Sequence, residues 1–155
     1  MRKILVPIDF SSVTARSLQV AQELAKTLFA KIILLAVNDT SLDHDPGERI
    51  PATSELDEAR EKLEEAGCDV IAIHQVGDVI PDVIFQVAKE FQVAFIVMGS
   101  HGHGMVHEVL LGSVSASVLR KAQCPVMVVP TPKPDEDEGS TVLGLENWQE
   151  IRQLP

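Results

Sequence analysis

The chain reads as an open five-stranded parallel α/β sheet with helices on both faces, and three observations predict it. Short apolar runs recur five times, at Ile4-Leu5-Val6, Ile32 to Val37, Val70 to Ile73, Ala94 to Met98 and Val126 to Val129. They are continuous rather than alternating, as expected of parallel strands covered on both sides. Segments with helical spacing lie between them, so strand and helix alternate up to a fifth strand, the order of a doubly wound sheet with right-handed crossovers.

The first helix follows Ser11 and Ser12, either of which is suited to cap it, and carries Leu18, Ala21, Ala25 and Leu28 on one stripe. A second starts near Ser54, places Leu56, Ala59, Leu63 and Ala66 on one face, and stops at Gly67, which suits a left-handed C-terminal cap. Pro81 is a good first-turn residue for a third, whose inner face is Ile84, Val87, Ala88 and Phe91. The fourth runs from Ser113 to Ala122. In such sheets ligands sit beyond the carboxyl ends of the strands, where the strand order reverses.

Two stretches fall outside this scheme. Asn38 to Pro51 is polar and reads as a long mobile loop over the strand ends. From Thr131 the composition turns acidic: Lys133 and Arg152 stand against Asp135, Glu136, Asp137, Glu138, Glu146 and Glu150. Val142, Leu143, Leu145, Trp148, Ile151 and Leu154 give that stretch apolar anchors, so it is expected to dock on its own domain or on a partner subunit. The division expected is one domain over residues 1–130 and an acidic C-terminal extension over 131–155.

A chain of 155 residues with 45% hydrophobic content buries one sizeable core. Its net charge of -10 disfavours nucleic acid and anionic membranes, both of which need clustered Lys and Arg. Met1-Arg2-Lys3 leads straight into a strand, which leaves no room for a signal-peptide core, and no apolar run reaches bilayer length. Cys68 and Cys124 form no CxxC pair and read as small core residues in a reducing cytoplasm.

The chemistry concentrates after the fourth strand, in Gly99-Ser100-His101-Gly102-His103-Gly104, with Gly112-Ser113 following. Glycines there let backbone amides approach an anion without an intervening Cβ. Ser113 opens a helix whose unpaired N–H groups and dipole favour phosphate, and Ser113 and Ser115 add hydroxyls. A P-loop would need a Lys after its last glycine, and a dinucleotide fingerprint read from Gly102 and Gly104 would need a glycine where His107 stands. Neither motif is present.

Gly99, Gly102, Gly112 and Ser113 match G-x-x-G, nine residues, then G-[ST], and in this the chain resembles the ATP-binding members of the universal stress protein family. Ile96-Val97-Met98 before the loop, Val118 to Val126 after it, and Val6-Pro7-Ile8-Asp9-Phe10-Ser11 near the N-terminus are similar to that family's blocks in the same order. The resemblance spans Met1 to about Pro130 and implies a Rossmann-like sheet of the adenine nucleotide alpha hydrolase-like kind. It further implies that Asp9, with Pro7 and Ile8, contacts ribose or adenine, and that the backbone of Val37 reads the adenine edge. Met98, Gly99, Ser100, His101, Gly102 and His103, with Gly112, Ser113, Val114 and Ser115, would surround the ribose and phosphates. Asp9 also suits the role of cap for the first helix.

His103 stands where many relatives carry a basic residue, which weakens phosphate neutralisation at neutral pH. ATP, or ADP or AMP, is therefore expected to bind with Mg2+ or Mn2+ held through the phosphates, and more tightly toward about pH 6. His101, His103 and His107 lack the Cys or carboxylate spacing of a dedicated zinc site. No Ser-His-Asp arrangement, arginine finger or placed lysine equips the chain for catalysis, so binding itself is the expected function: a nucleotide-dependent regulator in stress response. The alternatives are a slow ATPase or an enzyme autophosphorylating Ser113 or Ser115, and a dimerising module with an empty pocket. Relatives pair the last strand across a dimer axis, so the partners expected are a second copy of the chain and an unidentified protein.

Overall fold

In a computed structural model of the chain, the structure describes residues 1–40, 52–101 and 111–131. The acidic extension beyond Thr131 and most of the loop from Asn38 to Pro51 lie outside these residues, as do Gly102, His103 and His107.

Five parallel strands, β1 (Lys3–Ile8), β2 (Lys31–Asp39), β3 (Val70–Gly77), β4 (Phe95–Gly99) and β5 (Val126–Val129), form one sheet in the order β3-β2-β1-β4-β5. Helices α1 (Thr14–Leu28), α2 (Ala52–Glu65), α3 (Ile80–Glu90) and α4 (Ser113–Lys121) make the crossovers. The predicted sheet is therefore the observed one, with every strand run in its predicted place.

The continuous apolar runs have a plain cause. Successive strand residues point to opposite faces, and both faces are covered. Ile4 and Val6 of β1, Ile32 and Leu34 of β2 and Val97 of β4 face α1 and α2, where they meet Leu18, Ala21, Leu56 and Leu63. Leu5, Ile33, Leu35, Ile96 and Met98 face the other way and meet Ile84 and Val87 of α3 and Val118 of α4. Each wholly buried Leu or Ile on either face contributes about 1.5–3 kcal/mol relative to leaving it in water.

Three helices end in the same closed turn at the amino edge of the sheet. After α2, Gly67 takes a left-handed φ of 87°, Cys68 N–H donates to Leu63 C=O at 3.0 Å and Gly67 N–H to Glu64 C=O at 2.9 Å. The left-handed residue after α1 is Phe29, and after α3 it is Gln92, both at φ 50°. Ala30 N–H then reaches Ala25 C=O at 2.9 Å, and Val93 N–H reaches Ala88 C=O at 3.1 Å. Lys3 Nζ adds a donor to Phe91 C=O at 3.0 Å, at the end of α3 where a cation is favoured.

The start of α1 departs from expectation. Neither Ser11 nor Ser12 caps it: the N-cap is Val13, which makes no side-chain cap hydrogen bond. Phe10 at φ 60° turns the chain, and Asp9 Oδ1 accepts the Ser11 N–H at 3.0 Å, so the serines are used in the turn before the helix begins. β2 also runs further than its apolar core, taking in Asn38 and Asp39, which the sequence reading gave to the loop.

Candidate functional site

β1 pairs with β2 on one side and β4 on the other, and the chain order reverses between β1 and β4. At the carboxyl ends of these strands lies a cavity of about 400 Å³. Such a switch point opens because the loops after the two strands depart toward opposite faces.

The cavity is built from four directions. β1 and its turn supply Pro7, Ile8 and Asp9; β2 supplies Leu35, Val37 and Asp39. β4 and the residues after it supply Met98, Gly99 and His101, and the start of α4 supplies Gly112, Ser113, Val114 and Ser115. Val13, Thr14 and Ser17 of α1 and Ile80 and Ile84 of α3 complete the walls. One side is thus apolar, formed by Leu35, Val37, Ile80, Ile84 and Met98, and the other is lined with backbone donors and hydroxyls.

Eleven of the residues chosen from sequence meet on this cavity: Pro7, Ile8, Asp9, Val37, Met98, Gly99, His101, Gly112, Ser113, Val114 and Ser115. Ser100 is not on its wall, and Gly102 and His103 lie outside the described residues. Val13, Thr14, Ser17, Leu35, Asp39, Ile80 and Ile84 were not anticipated. Asp39 carried a faint signal as an acidic residue two places beyond an apolar strand run; the α1 and α3 contributions follow only from how the crossovers pack.

Several residues do different work from that expected. A Cβ on Gly99 would collide with the Val13 side chain, so this glycine serves the close packing of α1 on β4. Gly112 is buried and extended, at φ -71° and ψ 162°, and its N–H donates to Ser100 C=O at 2.7 Å. The Ser115 hydroxyl, expected to face phosphate, donates instead to Gly99 C=O at 2.8 Å, tying the first turn of α4 to the end of β4. Ser113 is the exposed hydroxyl of the pair.

The donors open to the cavity are backbone groups. The first hydrogen bond of α4 runs from Ala116 N–H to Gly112 C=O at 2.8 Å, so the N–H groups of Ser113, Val114 and Ser115 precede the intrahelical ladder. Such a helix start favours an anion. Ser100 Oγ accepts the Thr131 N–H at 3.2 Å and lies 2.8 Å from His101 Nδ1, against 3.5 Å from Thr131 Oγ1. Ser100 Oγ and His101 Nδ1 thus share one hydrogen bond, which either neutral tautomer of the ring makes. The ring's Nε2 is buried and has no partner among the described residues.

Among the described lining residues the ionisable side chains are Asp9, Asp39 and His101, with no Lys or Arg. Asp9 Oδ1 is partly engaged in its own turn, accepting from Ser11 N–H and, at 3.5 Å, from the Thr14 hydroxyl. Among the described residues no cluster of three or more His, Cys, Asp or Glu side chains could hold a metal, and no helix is long and apolar enough to cross a membrane.

Known proteins share this fold. The chain is 32% identical over 145 residues to the universal stress protein YxiE of Bacillus subtilis, across 82% of this chain and 97% of that one. The solved structure of the protein MJ0577 of Methanocaldococcus jannaschii superposes with a TM-score of 0.75 at 31% identity, covering 85% and 97% of the two chains. A universal stress protein solved in complex with cAMP gives a TM-score of 0.67 at 26% identity, covering 84% and 98%. A family protein of Arabidopsis thaliana with AMP bound gives 0.65 at 25%, covering 95% and 100%. The model of the universal stress protein family matches residues 1–130, the stretch that contains all five strands, all four helices and the cavity. With sequence and fold agreeing over that length, the chain belongs to the universal stress protein family.

Proposed function

We propose that this chain binds an adenine nucleotide in the cavity at the β1/β4 switch point and acts by binding rather than by catalysis, as a nucleotide-dependent regulator in stress response. The observation that carries this reading is the pairing of an apolar slot with the amide start of α4 in one cavity of about 400 Å³. A purine fits between Leu35, Val37, Ile80, Ile84 and Met98, and its phosphates fit against the Ser113, Val114 and Ser115 amides and the Ser113 hydroxyl. Relatives solved with AMP and with cAMP support an adenine nucleotide as the ligand.

In this reading residues 1–130 are the nucleotide-binding domain and 131–155 an acidic extension of a cytoplasmic protein. Gly102 and His103, outside the described residues, are assigned to the phosphates by their place in the motif alone. Mg2+ or Mn2+, held mainly by the phosphates, would supply positive charge, and Asp9 or Asp39 could each take one position on it. β5 is an edge strand, and Met127 is 43% exposed on it, so pairing of β5 across a dimer axis would cover an otherwise open edge.

Mass spectrometry of the small molecules released from protein purified under native conditions tests this reading, together with calorimetric titration of AMP, ADP and ATP with Mg2+. An adenine nucleotide in the released fraction and binding in the micromolar range are the expected results. No adenine nucleotide in either experiment would overturn it, and steady release of phosphate from ATP would move the chain to the slow-ATPase alternative.

A further inference from the structure

Resting on the reading of this cavity as an adenine-nucleotide site, we infer that Ser100 is a positioning residue that relays occupation of the cavity to the chain where it leaves β5 at Thr131, and so to residues 132–155. Ser100 is 4% exposed and is not on the cavity wall, yet it is bonded to several segments at once. Its N–H donates to Val129 C=O of β5 at 2.8 Å, and its C=O accepts the Gly112 N–H, just ahead of α4, at 2.7 Å. Its Oγ accepts the Thr131 N–H at 3.2 Å and shares the 2.8 Å hydrogen bond with His101 Nδ1.

The route from ligand to chain end is therefore continuous. A phosphate on the amides of Ser113, Val114 and Ser115 meets the first turn of α4. That turn is fastened to the end of β4 twice, by Gly112 N–H on Ser100 C=O and by the Ser115 hydroxyl on Gly99 C=O at 2.8 Å. A ligand in the cavity also meets His101 on its wall. From Ser100 two bonds lead on, one to Val129 and one to Thr131.

A relay needs an element with two discrete arrangements, and the Ser100 hydroxyl is one. Where His101 Nδ1 is an acceptor, the hydroxyl donates to it, and Thr131 is held through its N–H alone. Where the ring carries its proton on Nδ1, Oγ accepts that proton, and the hydroxyl is free to turn to Thr131 Oγ1, 3.5 Å away. The two arrangements grip the end of β5 differently. A ligand touching the His101 ring shifts the balance between them by its unequal contacts with each.

The chain has one Trp and no Tyr, and that residue is Trp148, so Trp emission arises from the stretch beyond Thr131 alone. The test follows acrylamide quenching of Trp148 in the full chain, without and with saturating AMP, for the parent, Ser100→Ala and Thr131→Pro, with calorimetric titration of AMP into each. Thr131→Pro removes both groups through which Thr131 meets Ser100, at a position beyond β5 and off the cavity wall, so it decides the question if Ser100→Ala does not fold. AMP should shift the quenching of the parent, and both variants should bind AMP and lose that shift. Coupling is reciprocal, so an AMP affinity altered by about fivefold or more in folded Thr131→Pro also counts for the relay. A parent quenched equally with and without bound AMP, or a folded variant that binds AMP as the parent does and keeps the full shift, would overturn this inference while leaving the nucleotide site standing. If AMP binds to none of the three proteins, the nucleotide reading falls and this inference falls with it.

Discussion

The two ends of the sheet are finished in opposite ways. At the amino end α1, α2 and α3 terminate in left-handed turns whose carbonyls are taken up by the following N–H groups, with Lys3 closing the last of them. At the carboxyl end the N-caps of α1, α3 and α4 are Val13, Val79 and Gly112, and none makes a side-chain cap hydrogen bond. Capping an N-terminus with Ser, Thr or Asp rather than an apolar residue typically adds about 1 kcal/mol, a gain that α1 and α3 forgo with Val13 and Val79. The comparison teaches where stability and function divide: the amino end satisfies its polar groups internally, whereas at the carboxyl end the amides that open α4 have no partner within their own helix.

The largest effect that sharpens the contrast is expected at Gly99. A Cβ there meets the Val13 side chain, so Gly99→Ala must push α1 away from β4. Overpacking of this kind costs roughly 1–3 kcal/mol. Urea denaturation should show the loss, and because Val13, Gly99 and Ser115 share the cavity wall, calorimetry should show weaker nucleotide binding in the fraction that remains folded. A variant as stable as the parent would mean that this end is looser than its geometry indicates.

At the amino end the same backbone device is occupied by different residues, which permits an internal test. Gly67 has φ 87° and nothing within 4 Å of where a Cβ would stand, so Gly67→Ala should cost only the left-handed penalty, about 1 kcal/mol. Phe29 holds the equivalent place with φ 50° and is 86% exposed, so little packing is lost on its removal. Phe29→Gly should therefore stabilise the chain by about 0.5–1 kcal/mol, a rise in Tm of about 1–4 °C, with nucleotide affinity unchanged. Thermal melts of the two variants should move in opposite directions.

The sequence makes the sheet legible because burial on both faces leaves no polar residue in the centres of β1, β2 and β4, and this is a signal that survives without any coordinates. It is less informative about ends. Left-handed caps announce themselves through glycine, so Gly67 is readable while Phe29 and Gln92 are not. A serine before a helical stripe suggests a cap, yet Ser11 is drawn into the Asp9 turn, a competition between local hydrogen bonds that residue type alone does not decide. At the site, motif spacing points to Gly99 and Ser115 but not to their packing roles: Gly99 makes room for Val13, and the Ser115 hydroxyl holds Gly99 C=O. Asp39, Ile80 and Ile84 join the cavity through the pairing of β2 and the packing of α3, which depend on tertiary geometry rather than on any motif.

The smallest effect expected lies in the closed turn after α2. Cys68 donates its N–H to Leu63 C=O at 3.0 Å and its side chain is buried in the core, which raises its thiol pKa above the ordinary value, while Lys26 pulls weakly the other way. A folded-state pKa above the unfolded one means that the thiol's contribution to stability is complete below the ordinary thiol range, near pH 8.5, and is lost as pH climbs through the folded value. Cys68→Ala removes that titration at the cost of a small cavity. Urea midpoints of parent and variant measured from pH 7 to pH 10 should therefore differ most at pH 7 and converge as the solution becomes alkaline. Cys124, also raised by burial, is present in both proteins and cancels from the difference. A gap that stays constant across the range would show that the thiolate is accommodated in place, and that the amino end is less tightly closed than its hydrogen bonds indicate.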